Sequence, residues 1–204
     1  MARSKPIGLR QIAKPEDPSK VIVSFPKPAD VLVEPKHFDQ EILLPQYSIP
    51  GNVIKPEFAD LIFHFIVTPV FLDYADFRLT ADNKYEIVSY SETPIANFDE
   101  EFIEWCADEM SDNFHGYEDE PTYFEVDKSV TRNSLYMGGE PIWDQTTYEK
   151  DHVRKTDYTL DIFKDENGEL MQYIATLYDS RVYGSYNLFY SPKTRLIRQF
   201  HQST

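Results

Sequence analysis

The stretch "FRLTADNKYEIVSY" (residues 77–90) decides the fold class of this 204-residue chain. Two runs of alternating apolar and polar residues flank the polar segment Ala81-Asp82-Asn83. Alternation with a period of two is typical of a half-buried β-strand, and two such runs around turn-forming residues predict a hairpin. Antiparallel sheet is therefore the expected framework of the protein.

The C-terminal third of the chain repeats this pattern. Asn167-Gly168 separates the runs "YTLDIFK" and "ELMQYIATL", and a turn beginning at Ser191 separates "YNLFY" from "RLIRQFH". Asn-Gly is a strong hairpin indicator because both residues accept the left-handed conformation of a tight turn. The apolar run from Leu61 to Val70 predicts a buried strand, although a buried helix remains the alternative.

One amphipathic helix is predicted between Asn97 and Asp112. Asn97 can cap its first turn, and Glu100, three residues later, completes a capping box. Acidic side chains lie on one face, and we expect the opposite, aromatic face to be buried with Cys106 as an inert thiol. That apolar face carries Phe98, Phe102, Trp105 and Cys106.

The formal net charge of −15 is concentrated in one part of the chain. Residues 92–127 contain 13 acidic residues and no lysine or arginine. Clustered acidity indicates a contact surface for a basic partner, whereas the simpler alternative is a solvated helix face and loop. The predicted partner-binding residues are Glu100, Glu101, Glu104, Asp108, Asp112, Tyr117, Glu118, Asp119, Glu120 and Tyr123.

The N-terminal part of the chain is rich in proline. Nine of the 14 prolines lie between Pro6 and Pro56, which disfavours helix there. The short runs "KVIVSF", "DVLVEP" and "EILLPQY" predict edge strands or extended segments. We therefore predict an extended arm with edge strands at residues 1–56 and a single domain at residues 57–204. The expected fold is α+β, mainly antiparallel sheet with one prominent acidic amphipathic helix and an extended N-terminal arm.

Composition indicates a cytoplasmic protein without membrane contact. The single cysteine, Cys106, cannot form a disulfide within one chain, which fits a reducing compartment. The first twenty residues lack the apolar segment of a secretory signal. The most apolar run, Phe58 to Leu72, is too short to span a bilayer and contains Asp60.

No motif in the sequence predicts catalysis. The five histidines are scattered, and neither Gly-x-Ser-x-Gly nor a phosphate-binding loop occurs. The segment "HGYEDE" (residues 115–120) places a histidine beside three carboxylates, but its spacing favours a solvated loop over a metal site. Because clustered carboxylates repel phosphates, direct nucleic-acid binding is not expected. We expect a non-enzymatic protein with no cofactor and no metal.

The stretch "YMGGEPIWDQ" (residues 136–145) predicts a tight turn at Gly138-Gly139, with Trp143 filling a core. It resembles the Gly-Gly-x-Pro-x-x-x-Gln element of the YwqG-like family, bacterial proteins whose biochemical activity is unsettled. The resemblance covers residues 136–190, although the family's Trp-Gly-Asp element is replaced here by Leu177-Tyr178-Asp179. It implies an α+β fold without established catalytic residues.

Three functional hypotheses follow. The charge pattern favours an acidic protein that docks on and inhibits a basic toxin or effector, as an immunity-type or anti-defence factor. The alternative is a structural subunit of a larger assembly that uses its N-terminal arm. The third is a YwqG-like domain that binds a small ligand or metal around Gly138 to Gln145 and Asp179.

Overall fold

The computed structural model describes residues 4–36, 42–68, 74–90, 93–94, 99–115, 120–130, 134–138, 141, 163–179 and 184–203. Within these ranges the chain forms two sheets of antiparallel strands, which confirms the broad expectation of an α+β, mainly antiparallel protein. The strands are β1 (Lys5–Pro6), β2 (Leu9–Ile12), β3 (Ile22–Ser24), β4 (Leu44–Pro50), β5 (Ile62–Val67), β6 (Tyr74–Leu79), β7 (Tyr85–Tyr90), β8 (Thr93–Pro94), β9 (Thr122–Val126), β10 (Leu135–Met137), β11 (Gln172–Asp179), β12 (Gly184–Tyr190) and β13 (Leu196–Ser203). The described α-helices are Pro28–Val31, Gly51–Ile54 and Glu100–His115.

The large sheet has the order β1-β10-β11-β12-β13-β6-β7-β8, and the small sheet has the order β2-β9-β3-β4-β5. The predicted hairpins β6–β7 and β12–β13 are confirmed, as is the buried strand β5. Asn83 turns the first hairpin with a φ of 63°, in the left-handed region that asparagine tolerates. Gly168 has a φ of 75° in its predicted turn, where the Asp165 carboxylate accepts the Asn167 N–H at 2.9 Å.

The proline-rich N-terminal residues contribute strands to both sheets. β1 and β2 are edge strands, paired with β10 and β9. β3 and β4, however, are interior strands, and the prediction of edge strands for them is wrong. A register shift between Pro45 and Tyr47, typical of a β-bulge, accommodates proline opposite β5. The predicted boundary at residue 56 falls between β4 and β5, which pair directly with each other.

Side chains of the large sheet cover the edge strand β5 of the small sheet. The backbone N–H of His64 donates to the Tyr85 hydroxyl at 3.0 Å. The side-chain amide of Gln199 accepts from the Ile66 N–H at 3.0 Å and donates to the Ile66 carbonyl at 2.5 Å. Gln199 thereby replaces a neighbouring strand, and these contacts satisfy edge groups that would otherwise be open to pairing with another chain.

The helix Glu100–His115 begins two residues later than predicted. The Asp99 carboxylate accepts the Phe102 N–H at 2.8 Å, so Asp99 caps the first turn. The predicted cap, Asn97, lies outside the described residues. In the described ranges, no helix combines the length and apolar character needed to cross a bilayer.

The buried face of this helix is centred on Cys106 and Met110, both fully buried in the core that the two sheets share. The prediction of a buried Cys106 is therefore confirmed. Trp105, which was expected on the buried face, is instead 43% exposed. Trp105 directly precedes Cys106 in sequence, and this step along the helix turns its side chain away from the core and toward the carboxylates.

Candidate functional site

One face of the helix Glu100–His115, termed the acidic face below, presents carboxylates to solvent. Its exposed members are Glu100, Glu101, Glu104 and Asp108, and Asp112 lies further along the same helix. Glu101 and Asp108 are four residues before and three after Trp105, so both neighbour its ring on the helix surface. Within the described ranges, Glu101 and Glu104 have no ion-pair partner. The acidic face therefore combines an exposed aromatic ring with carboxylates, two of which, Glu101 and Glu104, have no ion-pair partner among the described residues.

The other predicted partner-binding residues lie elsewhere. Tyr117, Glu118 and Asp119 are outside the described residues. Glu120, which precedes β9, is exposed, and Tyr123, near the start of β9, is half-buried; both line a depression of about 260 Å³ beside the small sheet. The structure therefore divides the described members of the predicted surface between the helix and the small sheet.

A base from the N-terminal strand compensates part of the acidic stretch. Arg10 Nη2 lies 3.0 Å from Glu125 Oε2, and Arg10 Nε lies 3.7 Å from Asp127 Oδ2. The pairing of β2 with β9 places Arg10 opposite Glu125, although 115 residues separate them in sequence. Exposed pairs of this kind contribute little to stability. They pair Glu125 and Asp127 with a base, whereas Glu101 and Glu104 of the helix have no such pair within the described ranges.

The outer face of the small sheet forms a cleft of about 540 Å³, termed the sheet cleft below. Cross-strand partners lie on the same face of a sheet, so the pairs Tyr123–Val23, Val23–Ser48 and Ser48–His64 form one row across β9, β3, β4 and β5. Neighbours in sequence, such as Ile49, point to the opposite face and are buried in the core. The volume lies within the range of roughly 300–1,000 Å³ that is typical of ligand pockets.

A buried serine–histidine pair lies at one end of this row. Ser48 is 8% exposed and His64 is 2% exposed, and Ser48 Oγ lies 2.8 Å from His64 Nδ1. His64 Nε2 lies 2.7 Å from the Asn83 carbonyl oxygen, which can only accept. Nε2 therefore carries the ring proton, and the Ser48 hydroxyl donates to Nδ1. Burial lowers the pKa of His64 from 6.5 to about 4, so the ring is neutral at pH 7.

This pair differs from the serine–histidine pair of a hydrolase. There, the second ring nitrogen donates to a carboxylate, which stabilises the imidazolium formed when serine loses its proton. Here its partner is the uncharged carbonyl of Asn83, and burial of His64 opposes the charged ring. The arrangement favours a fixed hydroxyl over an activated nucleophile. Because the Ser48 proton is directed at His64, its oxygen acts toward the cleft as a hydrogen-bond acceptor.

Two N-terminal segments form the walls of the sheet cleft. Lys14 and Pro18 come from the segment between β2 and β3, and Pro26 and Lys27 follow β3. Phe25, directly after β3, has a φ of 51°, an uncommon conformation for a large side chain. Both lysines are exposed, and within the described part of the chain neither forms an ion pair. They give the cleft two available cations.

Sequence reasoning missed the sheet cleft. Ser48 and His64 belong to no recognised motif, and Lys14 and Lys27 fall in residues predicted to form an extended arm. One indication was present, because His64 interrupts an apolar run. A buried histidine needs hydrogen-bond partners, so polar groups on an adjacent strand could have been expected from that position alone.

Among the described residues, no three His, Cys, Asp or Glu side chains come close enough together to hold a metal ion. The segment "HGYEDE" lies mostly outside those residues, and Trp143 lies outside them entirely. Gly138, in the predicted paired-glycine turn, has a φ of 67°. Comparisons with models of known protein families, with curated proteins and with solved structures gave no match to this chain.

Proposed function

We propose that the chain is a non-enzymatic acidic protein that docks on a basic protein partner through the acidic face of its helix and inhibits that partner. The observation that supports this function is the 43% exposed side chain of Trp105 beside Glu101 and Asp108. A protein without use for this surface would gain by burying the ring or by placing a lysine among the carboxylates.

The two components of the acidic face have different roles in docking. Tryptophan is among the residues that most often anchor protein interfaces, because it buries a large area with few rotatable bonds. The carboxylates of Glu101, Glu104 and Asp108 steer a basic surface toward the ring, and the net charge of −15 extends this attraction. Fast capture suits an immunity-type or anti-defence factor, which must bind its target before the target acts.

The partner class follows from the same charges. A toxin or effector that cleaves nucleic acid holds phosphates in a groove lined by lysine and arginine. An acidic helix with an exposed aromatic ring is complementary to such a groove in charge. A single cysteine also suits a reducing compartment, and we place the encounter in the cytoplasm.

The test compares two triple variants with equal charge changes. Glu101→Lys/Glu104→Lys/Asp108→Lys reverses the acidic face, and Glu57→Lys/Asp60→Lys/Glu86→Lys reverses exposed acids elsewhere. Each protein is used as bait in lysate of its source at low and moderate salt. We expect the wild type and the control variant, but not the helix variant, to retain one basic protein whose nuclease activity the wild type inhibits.

Three outcomes would contradict the proposal. Equal loss of binding in both variants would show that only net charge matters, and a retained partner in the helix variant would exclude the acidic face. Several salt-resistant partners would instead indicate a subunit of a larger assembly. A YwqG-like ligand-binding domain is a further candidate, which rests on the resemblance of residues 136–190 to that family.

A further inference from the structure

We propose that the sheet cleft binds a small carboxylate whose aromatic body carries a hydrogen-bond donor, of the hydroxyaryl-acetate class. Three features meet in this one cleft: an apolar floor, the fixed hydroxyl of Ser48, and the cations Lys14 and Lys27, for which the described part of the chain offers no ion-pair partner. The site is separate from the acidic face of the helix, so its test does not depend on the proposed docking function.

The floor and walls of the sheet cleft are suited to an aromatic ring. Apolar side chains line the cleft together with Ser48 and His64, and their burial by a ligand removes apolar surface from water. Pockets of this size accommodate organic molecules with a mostly apolar body and a few polar groups. The apolar lining residues are Pro18, Val21, Val23, Pro26, Ile62, Pro121 and Tyr123.

The hydrogen-bond donor of the ligand is inferred from Ser48. Its hydroxyl proton is committed to His64 Nδ1, because His64 Nε2 donates to the Asn83 carbonyl. The Ser48 oxygen therefore faces the cleft as an acceptor, and a buried acceptor is best satisfied by an O–H or N–H of the ligand. A phenolic hydroxyl on the aromatic body supplies that donor.

The anionic group of the ligand is inferred from the two lysines at the rim of the sheet cleft. Asp17 is already engaged by the Ser19 hydroxyl at 2.5 Å and by Lys20 at 3.2 Å, so it does not compete for Lys14 and Lys27. The two lysines are exposed cations on an otherwise acidic protein and match a carboxylate. The opposing carboxylates are Asp30 on the rim and Glu120 in the adjoining depression.

The experiment is an NMR titration of the isotopically labelled full chain with three related compounds. 4-Hydroxyphenylacetate has all the proposed features, phenylacetate lacks the donor, and 4-hydroxyphenylacetamide lacks the charge. We expect the first to bind with a Kd of roughly millimolar, as a ligand of this size allows, and the amide to bind about tenfold more weakly. Resonances of Val23, Ser48 and Tyr123 should shift together.

Variants then assign each ligand group to its partner. Lys14→Met/Lys27→Met should raise the Kd of 4-hydroxyphenylacetate about tenfold and leave the amide unchanged, whereas the control Lys5→Met/Lys128→Met should change neither. Glu120→Gln should lower the Kd of both carboxylate ligands, 4-hydroxyphenylacetate and phenylacetate, severalfold. Ser48→Ala should abolish the preference for 4-hydroxyphenylacetate over phenylacetate, and Ser48→Thr, which keeps the hydroxyl, should preserve it.

Several results would overturn the proposal. No shifts up to about 10 mM of 4-hydroxyphenylacetate, well beyond the affinity expected for this size, would mean that the cleft is not a site of this class. Equal affinities for the three compounds would mean that neither the charge nor the donor of the ligand is recognised. Equal effects of the two lysine pairs would mean that Lys14 and Lys27 do not recognise the carboxylate. If Ser48→Ala does not fold, the Ser48→Thr and lysine variants still decide the outcome.

Discussion

The acidic face of the helix and the sheet cleft are built in opposite ways. The acidic face consists of residues close together in sequence on a single helix, whose side chains are exposed. The cleft consists of side chains from four strands and two connecting segments, and its hydrogen-bonded pair, Ser48 and His64, is buried. The first surface attracts at long range through charge, whereas the second can select a ligand by shape and fixed polar groups.

Because of this difference, mutations in the two regions have different consequences for stability and for binding. Exposed carboxylates can be changed with little effect on folding, so the acidic face is free to be specialised for a partner. Ser48 and His64 contribute to the packing of the small sheet against the large one, through Asn83 and Tyr85. Mutations in the cleft therefore alter stability as well as ligand contacts, and the experiments must measure both.

The largest expected effect distinguishes the two faces of the same helix. Met110→Ala removes a fully buried side chain and should lower the free energy of unfolding by roughly 2–5 kcal/mol. Trp105→Ala, at an exposed position, should cost about 1 kcal/mol or less. Urea unfolding of both variants measures the contrast. Equal losses would show that Trp105 is a core residue and would remove it as an interface anchor.

The next effect is a loss of stability at low pH, which results from the buried ring of His64 in the sheet cleft. The pKa of His64 is about 4 in the folded chain and 6.5 as its ordinary value, so the unfolded chain takes up a proton first as the pH falls. Stability is therefore fully present above pH 6.5 and is lost toward pH 4, by roughly 2–3 kcal/mol between pH 7 and pH 4.5. His64→Gln should lack this loss. Tyr85, whose ring lies 4.8 Å away, stays protonated because burial raises its pKa.

The measurement is urea unfolding of the wild type and His64→Gln at intervals from pH 7 to pH 4.5. The stability difference between the two proteins should shrink as the pH falls. A difference that stays constant across this window would mean that His64 titrates in the folded chain at its ordinary pKa, and the neutral ring assigned to the cleft would be wrong.

A smaller loss of stability is expected when the hydroxyl of Ser48 is removed. Ser48→Ala leaves His64 Nδ1 buried without a donor and should cost roughly 1–3 kcal/mol of stability. Ser48→Thr retains the hydroxyl, and thermal unfolding of the pair isolates the hydrogen bond from changes in packing. If alanine and threonine have the same effect, the bond between Ser48 and His64 contributes nothing to the fold.

The smallest effect is expected at the ion pairs of Arg10. Arg10→Met removes the exposed contacts with Glu125 and Asp127 and should cost less than about 1 kcal/mol. The cost should decrease further in about 0.5 M salt because exposed charges are screened. A loss of several kcal/mol that salt does not change would show that Arg10 holds the N-terminal strand through packing instead of charge.

Local patterns in the sequence were sufficient for much of the fold. The hairpin β6–β7, the turn at Gly168 and the hairpin β12–β13 each depend on neighbouring residues, and all three were predicted. The interior positions of β3 and β4 were not, because strand order depends on pairing between distant segments. The exposure of Trp105 was also missed, since helical periodicity gives the width of an apolar face but not the direction of its contact with the core.

The sequence by itself determined the antiparallel class, the turns and the concentration of negative charge, because each of these arises from residues a few positions apart. Only the tertiary structure decided that Glu125 is paired with a base, since Arg10 reaches it through pairing of β2 with β9. It alone also brought Ser48 to His64 and Lys14 to Lys27 around one cleft. The physical reason is that cross-strand register and burial are properties of the packed sheet, which no single segment of the chain specifies.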